Sequence, residues 1–183
     1  MTTALLLIDI QNDYFPGGRM VLHGADDAAR RAAALLAHFR ASGRPVVHVR
    51  HVASEPGASF FLPDTEGVLT HELVAPTAAE TVIEKHSPNS FVGTELAAHL
   101  DSIGATTLVI AGMMTHMCVD STTRAANDRG LTCVVVADAC ATREQTYAGV
   151  RVGAESVHAA FLAALDGTFA TVEPLVTVLE RFQ

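Results

Sequence analysis

A cysteine at the start of a helical pattern is the first candidate for chemistry in this sequence. The stretch VIAGMMTHMCVDSTTR, residues 109–124, runs from an apolar segment through a glycine into helical spacing, with Cys118 in the first helical turn. A thiol is nucleophilic as the thiolate, and the unpaired N–H groups and dipole of a helix start favour that anion. Thr115 is the expected N-cap, which would make Cys118 the third helical residue. We therefore predict a nucleophile at Cys118.

Two charged residues follow other strand-like segments in the same way. Asp9 comes directly after the aliphatic run ALLLI, and Lys85 directly after the segment TVIE. The first run lacks polar alternation, as expected of a strand that is buried on both faces of a parallel sheet. In open sheets of this kind, ligands bind beyond the carboxyl ends of the strands. Asp9, Lys85 and Cys118 are therefore expected to share one edge of the sheet.

A carboxylate, an ammonium and a thiol together suit acyl transfer. Cys118 would attack a carbonyl carbon and form a thioester. Asp9, desolvated at the end of a buried strand, would accept the thiol proton, donate it to a leaving amine and later activate water. Lys85 would stabilise the thiolate and oppose the rise of the Asp9 pKa. The backbone N–H groups of Met114 and Cys118 are the predicted donors of an oxyanion hole.

The rest of the chain supplies the elements that would position these residues. Six strand segments alternate with helical segments, which predicts an α/β fold: a Rossmann-like, three-layer α/β/α sandwich around a six-stranded parallel sheet. The strands are predicted at residues 4–8, 46–50, 81–84, 107–111, 131–138 and 168–172, and the helices at 26–42, 94–102, 115–129, 148–165 and from 173 onward. Residues 51–79 lack a regular pattern, and a segment this long is typical of a lid or binding loop.

Composition limits the class of protein. The chain has 183 residues, 49% of them hydrophobic, so we expect one domain over residues 1–183 with a single core. Its net charge of -8 argues against a nucleic-acid partner. No apolar run approaches the roughly 18 residues of a membrane span. The three cysteines form no CxxC pair, which predicts neither a disulfide framework nor a zinc site and favours a reducing, cytoplasmic setting.

Several residues near the predicted edge are candidates for contacts with a small-molecule substrate. Gln11 could orient Asp9 or a substrate amide. His116 could line the pocket, but it is a poor base for Cys118, because residues two apart on a helix do not face each other. Four aromatic side chains in the edge loops are expected to form an apolar pocket wall: Phe15, Phe60, Phe61 and Phe91.

Each feature alone also has an ordinary structural explanation. A cysteine among apolar residues is often inert core, an aspartate after a strand often forms a turn, and a lysine there is usually solvated. Two other classes of function therefore stay open. One is a thiol redox or sensor protein in which Cys118 is resolved by Cys140, and the other is a small-molecule binder that has lost turnover.

Three motifs resemble the isochorismatase-like cysteine hydrolase superfamily, which includes nicotinamidases and N-carbamoylsarcosine amidases. They are DIQNDYF at residues 9–15, VIEKHSPNSF at 82–91 and AGMMTHMCVDSTTRAA at 111–126. The resemblance spans nearly the whole chain, with the motifs in the same order and at similar spacing.

The resemblance implies a six-stranded parallel sheet and an Asp-Lys-Cys triad at Asp9, Lys85 and Cys118. It also implies hydrolysis of a C–N bond without a cofactor, a cis peptide between Met113 and Met114 that would aim the oxyanion-hole N–H, and assembly into a homo-oligomer, a dimer or tetramer.

Differences from particular members of the superfamily narrow the choice of substrate class and bear on whether a metal is bound. Isochorismatases proper cleave a vinyl ether without a cysteine nucleophile, so Cys118 favours an amide, lactam or carbamoyl substrate. Nicotinamidases bind a metal through an Asp-x-His motif and a further histidine, but the corresponding region here reads HVRHVASEPG, without the aspartate. A metal held by His48, His51 and His71 is the alternative. We predict no metal, since an HxxH pattern on a strand does not bring both rings together.

Overall fold

The computed structural model describes residues 2–182, which contain eight strands and five α-helices. The strands are β1 Thr2–Ile8, β2 Val46–His51, β3 Thr81–Lys85, β4 Ala105–Met113, β5 Thr132–Ala141, β6 Gln145–Tyr147, β7 Val150–Val152 and β8 Thr171–Glu173. The helices are α1 Ala25–Ala41, α2 Leu96–Ser102, α3 Asp120–Asp128, α4 Ala154–Leu165 and α5 Leu175–Arg181. Within this described range, no helix is both long enough and apolar enough to cross a membrane.

Six of the strands form one parallel sheet, in the order β3-β2-β1-β4-β5-β8. Helices α1 and α5 contribute Leu35 and Val178 to the apolar layer on one face. Helices α2, α3 and α4 contribute Leu100, Ala126 and Leu165 to the layer on the other face. The predicted three-layer α/β/α sandwich is confirmed.

Strand β1 shows why its sequence lacks polar alternation. Leu5 and Leu7 point into the layer under α1, whereas Leu6 and Ile8 point into the opposite layer. All four side chains are at most 2% exposed. Burial of each such side chain contributes about 1.5–3 kcal/mol, so both faces of the strand stabilise its central place in the sheet.

A hairpin replaces the beginning of the helix predicted at residues 148–165. Strands β6 and β7 pair in antiparallel fashion, and α4 begins only at Ala154. The two residues that connect the strands, Ala148 and Gly149, have φ values of +49° and +79°, as a tight hairpin turn requires. Alanine rarely adopts a positive φ, so the sequence carries no ordinary signal for this turn.

The helix predicted at residues 115–129 also begins differently. Residues Thr115–Val119 form a π-helical turn, and α3 continues it. Met114 occupies the N-cap position and makes no side-chain cap. Thr115 is fully buried, and its hydroxyl lies 2.9 Å from Nδ1 of His158 on α4. The predicted N-cap role of Thr115 is wrong, because a tertiary partner takes the hydroxyl.

Candidate active site

The strand order brings the three predicted catalytic side chains to one edge of the sheet. Between β1 and β4 the order of the strands reverses, and ligand sites of open α/β sheets lie at such a point. Asp9 follows β1 and Cys118 lies in the π-helical turn after β4, so they flank this point. Lys85 ends β3, and its Nζ lies 2.8 Å from Oδ2 of Asp9 and 3.2 Å from Sγ of Cys118.

The backbone at this edge has conformations that the regular strands lack. Asp9 has a φ of +50°, in the left-handed region that aspartate tolerates better than most residues. Gly112 has a φ of +141°, and a Cβ atom there would lie 2.0 Å from the carbonyl oxygen of Ile8. Only glycine allows this approach. The Met113–Met114 peptide is cis, as the resemblance implied.

The Lys85 ammonium is buried among acceptors. The side chain is 0% exposed, as is that of its ion-pair partner Asp9. Besides Asp9 and Cys118, Nζ lies 3.2 Å from Nδ1 of His51 and 3.0 Å from the carbonyl oxygen of Ser87. Burial by itself would lower the pKa of Lys85, but the nearby Asp9 carboxylate and Cys118 outweigh it and raise that pKa. The side chain therefore stays a cation.

The surroundings of the Cys118 thiol disfavour its thiolate form. Burial raises its pKa well above the usual value, and the Asp9 carboxylate raises it further, against the opposing effect of Lys85. The expectation that the helix start lowers this pKa is therefore wrong. Loss of solvation and a neighbouring negative charge outweigh the favourable dipole.

Asp9 is placed to take the thiol proton. Burial raises the pKa of this carboxyl, although Lys85 opposes the rise. Apart from the ion pair, neither carboxylate oxygen has a hydrogen-bond partner among residues 2–182. A buried carboxylate with free acceptor capacity is a competent base for a nearby proton.

His51 is a fourth side chain at this site, and it was missed as a site residue. It is the last residue of β2 and pairs in register with Lys85. A ligand atom of His51 lies within 4.8 Å of ligand atoms of Asp9 and Cys118, a spacing that could hold a metal ion. The Lys85 ammonium contacts all three groups, so a cation from the chain itself already lies among them. The sequence did contain a signal for it, because His51 directly follows the strand predicted at residues 46–50, just as Asp9 and Lys85 follow theirs.

The other two histidines of the alternative metal site have different neighbours. Nε2 of His48 lies 3.1 Å from Oε2 of Glu80. The ring of His71 stacks on Phe15, with the ring centroids 3.9 Å apart. The structure therefore does not assemble His48, His51 and His71 into one metal site.

The Gln11 side chain hydrogen-bonds to the backbone at the end of β2, and not to the Asp9 side chain that it was predicted to orient. It is fully buried, and its Nε2 donates to the carbonyl oxygens of His51 and Val68, each at 2.8 Å. Its Oε1 accepts from the backbone N–H of His51 at 2.8 Å. Both amide protons are thus used by the backbone, and the contact that Gln11 makes near the site is with His51.

The predicted aromatic wall divides into separate groups. Phe61 is buried, lies 4.6 Å from the Tyr14 ring and 5.9 Å from the His51 ring, and packs with the half-buried Phe60. Phe61 adjoins the site through the His51 ring, whereas the rings that Phe60 contacts are those of Phe61 and Tyr14. Phe15 instead stacks on His71, and Phe91 packs in the layer under α3.

His116 faces α4 and the end of β5. Its Nδ1 lies 2.5 Å from Oγ1 of Thr142, and its ring lies edge-on to Phe161 at 5.8 Å. These contacts agree with the expectation that His116 is not the base for Cys118.

Asp13 anchors the long segment between β2 and β3 over the site. It is buried, and its Oδ2 accepts from the backbone N–H of Phe61 at 2.6 Å. A Cβ atom at Gly67 would lie 2.2 Å from the other carboxylate oxygen. Sequence reasoning did not identify this contact, because its residues are far apart in the chain.

The sequence matches a known protein family over most of its length. Residues 3–173 match the family model of the isochorismatase domain. YddQ of Bacillus subtilis (strain 168), an isochorismatase family protein, is 54% identical over 173 residues, which cover 94% of this chain and 96% of the relative. Maleamate amidohydrolase of Pseudomonas putida is 31% identical over 154 residues, covering 76% of this chain and 72% of the relative.

The solved structures include a close match. A protein of Oleispira antarctica described as an isochorismatase hydrolase superimposes with a TM-score of 0.94 and 48% sequence identity. The match covers 98% of this chain and 96% of the other.

Proposed function

Because this chain belongs to the isochorismatase family of hydrolases, we propose that it is a cysteine amidohydrolase. It would cleave the C–N bond of a small amide, lactam or carbamoyl compound through a thioester. The observation that carries the proposal is the buried Lys85 ammonium, which lies 2.8 Å from the Asp9 carboxylate and 3.2 Å from the Cys118 sulfur. The maleamate relative, named as an amidohydrolase, supports the bond type.

Attack and proton transfer occur together in the proposed first step. The Cys118 thiol gives its proton to Asp9 while the sulfur bonds to the carbonyl carbon. The N–H groups of Met114 and Cys118 stabilise the oxyanion. When the C–N bond breaks, Asp9 returns that proton to the leaving nitrogen, and the acyl group remains on sulfur.

Water completes the cycle. Asp9 removes one proton from the water as its oxygen attacks the thioester carbonyl. The C–S bond then breaks, the sulfur takes the proton from Asp9, and the acid product leaves. Lys85 stays protonated throughout and stabilises the charge that passes between Asp9 and Cys118.

The redox alternative has less support than the hydrolase. Burial raises the pKa of Cys140 to about 12, so few of these thiols would ionise to resolve an oxidised Cys118. Measurement of product release distinguishes the hydrolase from a protein that binds the same small molecules without turnover. Assembly into a dimer or tetramer and a cytoplasmic setting stay predictions, the first to be measured by light scattering.

Intact-mass measurement during incubation with a panel of small primary amides, lactams and carbamoyl compounds tests the proposal. We expect product release and an acyl adduct on Cys118 in the wild type and in the matched control Cys140→Ala. Both signals should be absent in Cys118→Ala. A disulfide between Cys118 and Cys140 that forms without any adduct or turnover would overturn the proposal.

A further inference from the structure

The end of β2 lies between two of the strands that carry the proposed triad. In the sheet, β2 separates β1 from β3, so the Lys85 side chain must pass the end of β2 to reach Asp9. His51 occupies that end and is paired in register with Lys85. A side chain at this position can therefore contact the Lys85 ammonium group and influence where it lies.

The ammonium has more acceptors than protons. Three N–H bonds face Asp9, Cys118, His51 and the carbonyl oxygens of Ser87 and Pro88, at 2.8 to 3.4 Å from Nζ. The direction of the ammonium therefore depends on which acceptors are present. Without the imidazole, the protons would turn toward the remaining acceptors, and the backbone carbonyls would draw Nζ away from the thiol.

We propose that His51 is a positioning residue that holds the Lys85 ammonium between Asp9 and Cys118. This inference rests on the hydrolase function proposed above. Lysine offers only donors, so Nδ1 of His51 must accept, and the ring must be neutral with its proton on Nε2.

The surroundings of His51 support the neutral ring. The charged or titratable groups that face it are Asp9 from the end of β1, Lys85 and His86 at the end of β3, and Cys118 from the π-helical turn. Burial, with contributions from Lys85 and His86, lowers the pKa of His51 to about 4. The acceptor is therefore available at neutral pH.

The backbone and ring of His51 are both held in place. Gln11 brackets the residue with one hydrogen bond to its N–H and one from its amide to the carbonyl oxygen, each at 2.8 Å. The ring lies 5.9 Å from Phe61 and is less buried than Asp9 or Lys85. This is the arrangement of a fixed support for a buried cation.

Three substitutions test the position of the acceptor. In His51→Asn, Oδ1 lies the same number of bonds from Cβ as Nδ1 does, whereas in His51→Gln the acceptor is one bond further away. His51→Ala has no acceptor. His99→Ala is the matched control, because His99 lies in the last turn of α2, next to the amino end of β4 and so at the opposite edge of the sheet from the site.

Alkylation of Cys118 by iodoacetamide, followed by intact mass between pH 6 and 10, needs no substrate. We expect His51→Ala and His51→Gln to slow alkylation at pH 8 about tenfold or more, since a displaced ammonium stabilises the thiolate less. His51→Asn should recover most of the rate. If a folded His51→Ala protein has the wild-type rate and pH profile, the proposal is overturned, whether or not any amide is hydrolysed.

Turnover provides the second measurement once a substrate is found. We expect His51→Ala to lower kcat by about 10-fold to 100-fold with KM little changed, and His51→Asn to recover most of kcat. His99→Ala should retain wild-type kcat. If His51→Ala does not fold, the contrast between His51→Asn and His51→Gln decides, and equal rates for these two would contradict the proposal.

Discussion

Gly112 lies opposite Ile8 where β4 and β1 reach the active-site edge of the sheet. The two residues are in register, and a Cβ atom on Gly112 would lie 2.0 Å from the carbonyl oxygen of Ile8. Asp9 is the next residue after Ile8, and Met113 the next after Gly112. The close approach of the two strands therefore sets the distance between the segments that carry the proposed base and nucleophile.

Replacing Gly112 with alanine is expected to separate the two strands. The clash is with backbone, which cannot rotate away, and the positive φ adds strain for any side chain. We expect Gly112→Ala to lose about 3 kcal/mol or more of unfolding free energy in urea, and any protein that folds to lose most of its activity. Gly153→Ala is the control, since Gly153 has a φ of −62° and open space around it. Equal stability of the two variants would contradict the prediction that a Cβ atom at Gly112 forces the strands apart.

Asp9→Asn is expected to change turnover and thiol reactivity in opposite directions. The Asp9 carboxylate raises the pKa of Cys118, whereas Lys85 lowers it. Loss of the carboxylate charge should lower that pKa and speed alkylation at pH 7 by about tenfold. Turnover should fall by about 100-fold or more, since the proton acceptor is gone.

Iodoacetamide labelling followed by intact mass, together with product formation, measures both effects of Asp9→Asn. Asp101→Asn, at an exposed residue of α2, should change neither. Slower alkylation in Asp9→Asn would contradict this prediction and would mean that Asp9 accepts the thiol proton during alkylation as well.

Glu80 connects the end of the long loop to the body of the sandwich. Its carboxylate accepts two hydrogen bonds from Arg40 on α1, each at 2.7 Å, and one from the backbone N–H of Thr77 at 2.8 Å. Its Oε2 also lies 3.1 Å from Nε2 of His48 on β2. The hydrogen bonds from Arg40 lower the pKa of Glu80 to about 2, against the effect of burial.

Protonation of Glu80 should therefore lower the free energy of unfolding at acid pH. Its folded pKa lies below its unfolded value near 4.5, so the stabilisation is complete above pH 4.5 and is lost as the pH falls through about 2. We expect Glu80→Gln to cost about 1–3 kcal/mol of unfolding free energy at pH 7, and the difference from wild type to shrink between pH 5 and pH 2.

Urea unfolding across that pH range measures the effect of Glu80. Glu84→Gln, which removes a single more exposed ion pair with Arg50, is the control and should cost less than about 1 kcal/mol. A Glu80→Gln deficit of constant size from pH 7 to pH 2 would mean that the carboxylate charge is not its source.

Local patterns were sufficient to predict the six strands of the sheet but not all of their ends, since β5 continues to Ala141 and β8 begins at Thr171 instead of residue 168. The run before Asp9 is a strand buried on both faces, as predicted, since continuous apolar sequence is typical of central parallel strands. The segment before Lys85 is also a strand, but it lies at the edge of the sheet, with Ile83 buried and Val82 exposed. Helix α1 begins and ends within one residue of its predicted bounds, because its apolar spacing and the following glycine are local signals.

Features that depend on strand order or tertiary contact were not predictable in the same way. His51 belongs to the site because β2 lies between β1 and β3, and the sequence does not state that order. Thr115 bonds to His158, a partner 43 residues away, so local capping rules did not apply. The turn at Ala148 requires a conformation that alanine seldom adopts.

The Asp13 carboxylate makes two distant stretches of sequence dependent on each other. It receives the Phe61 N–H across 48 positions of the chain, and Gly67 packs against it with no room for a side chain. Exchange of the long loop between relatives, as a route to altered substrate preference, would therefore have to exchange the segment after β1 as well. A chimera that received only one of the two would bury a carboxylate without its donor or press a foreign side chain against it.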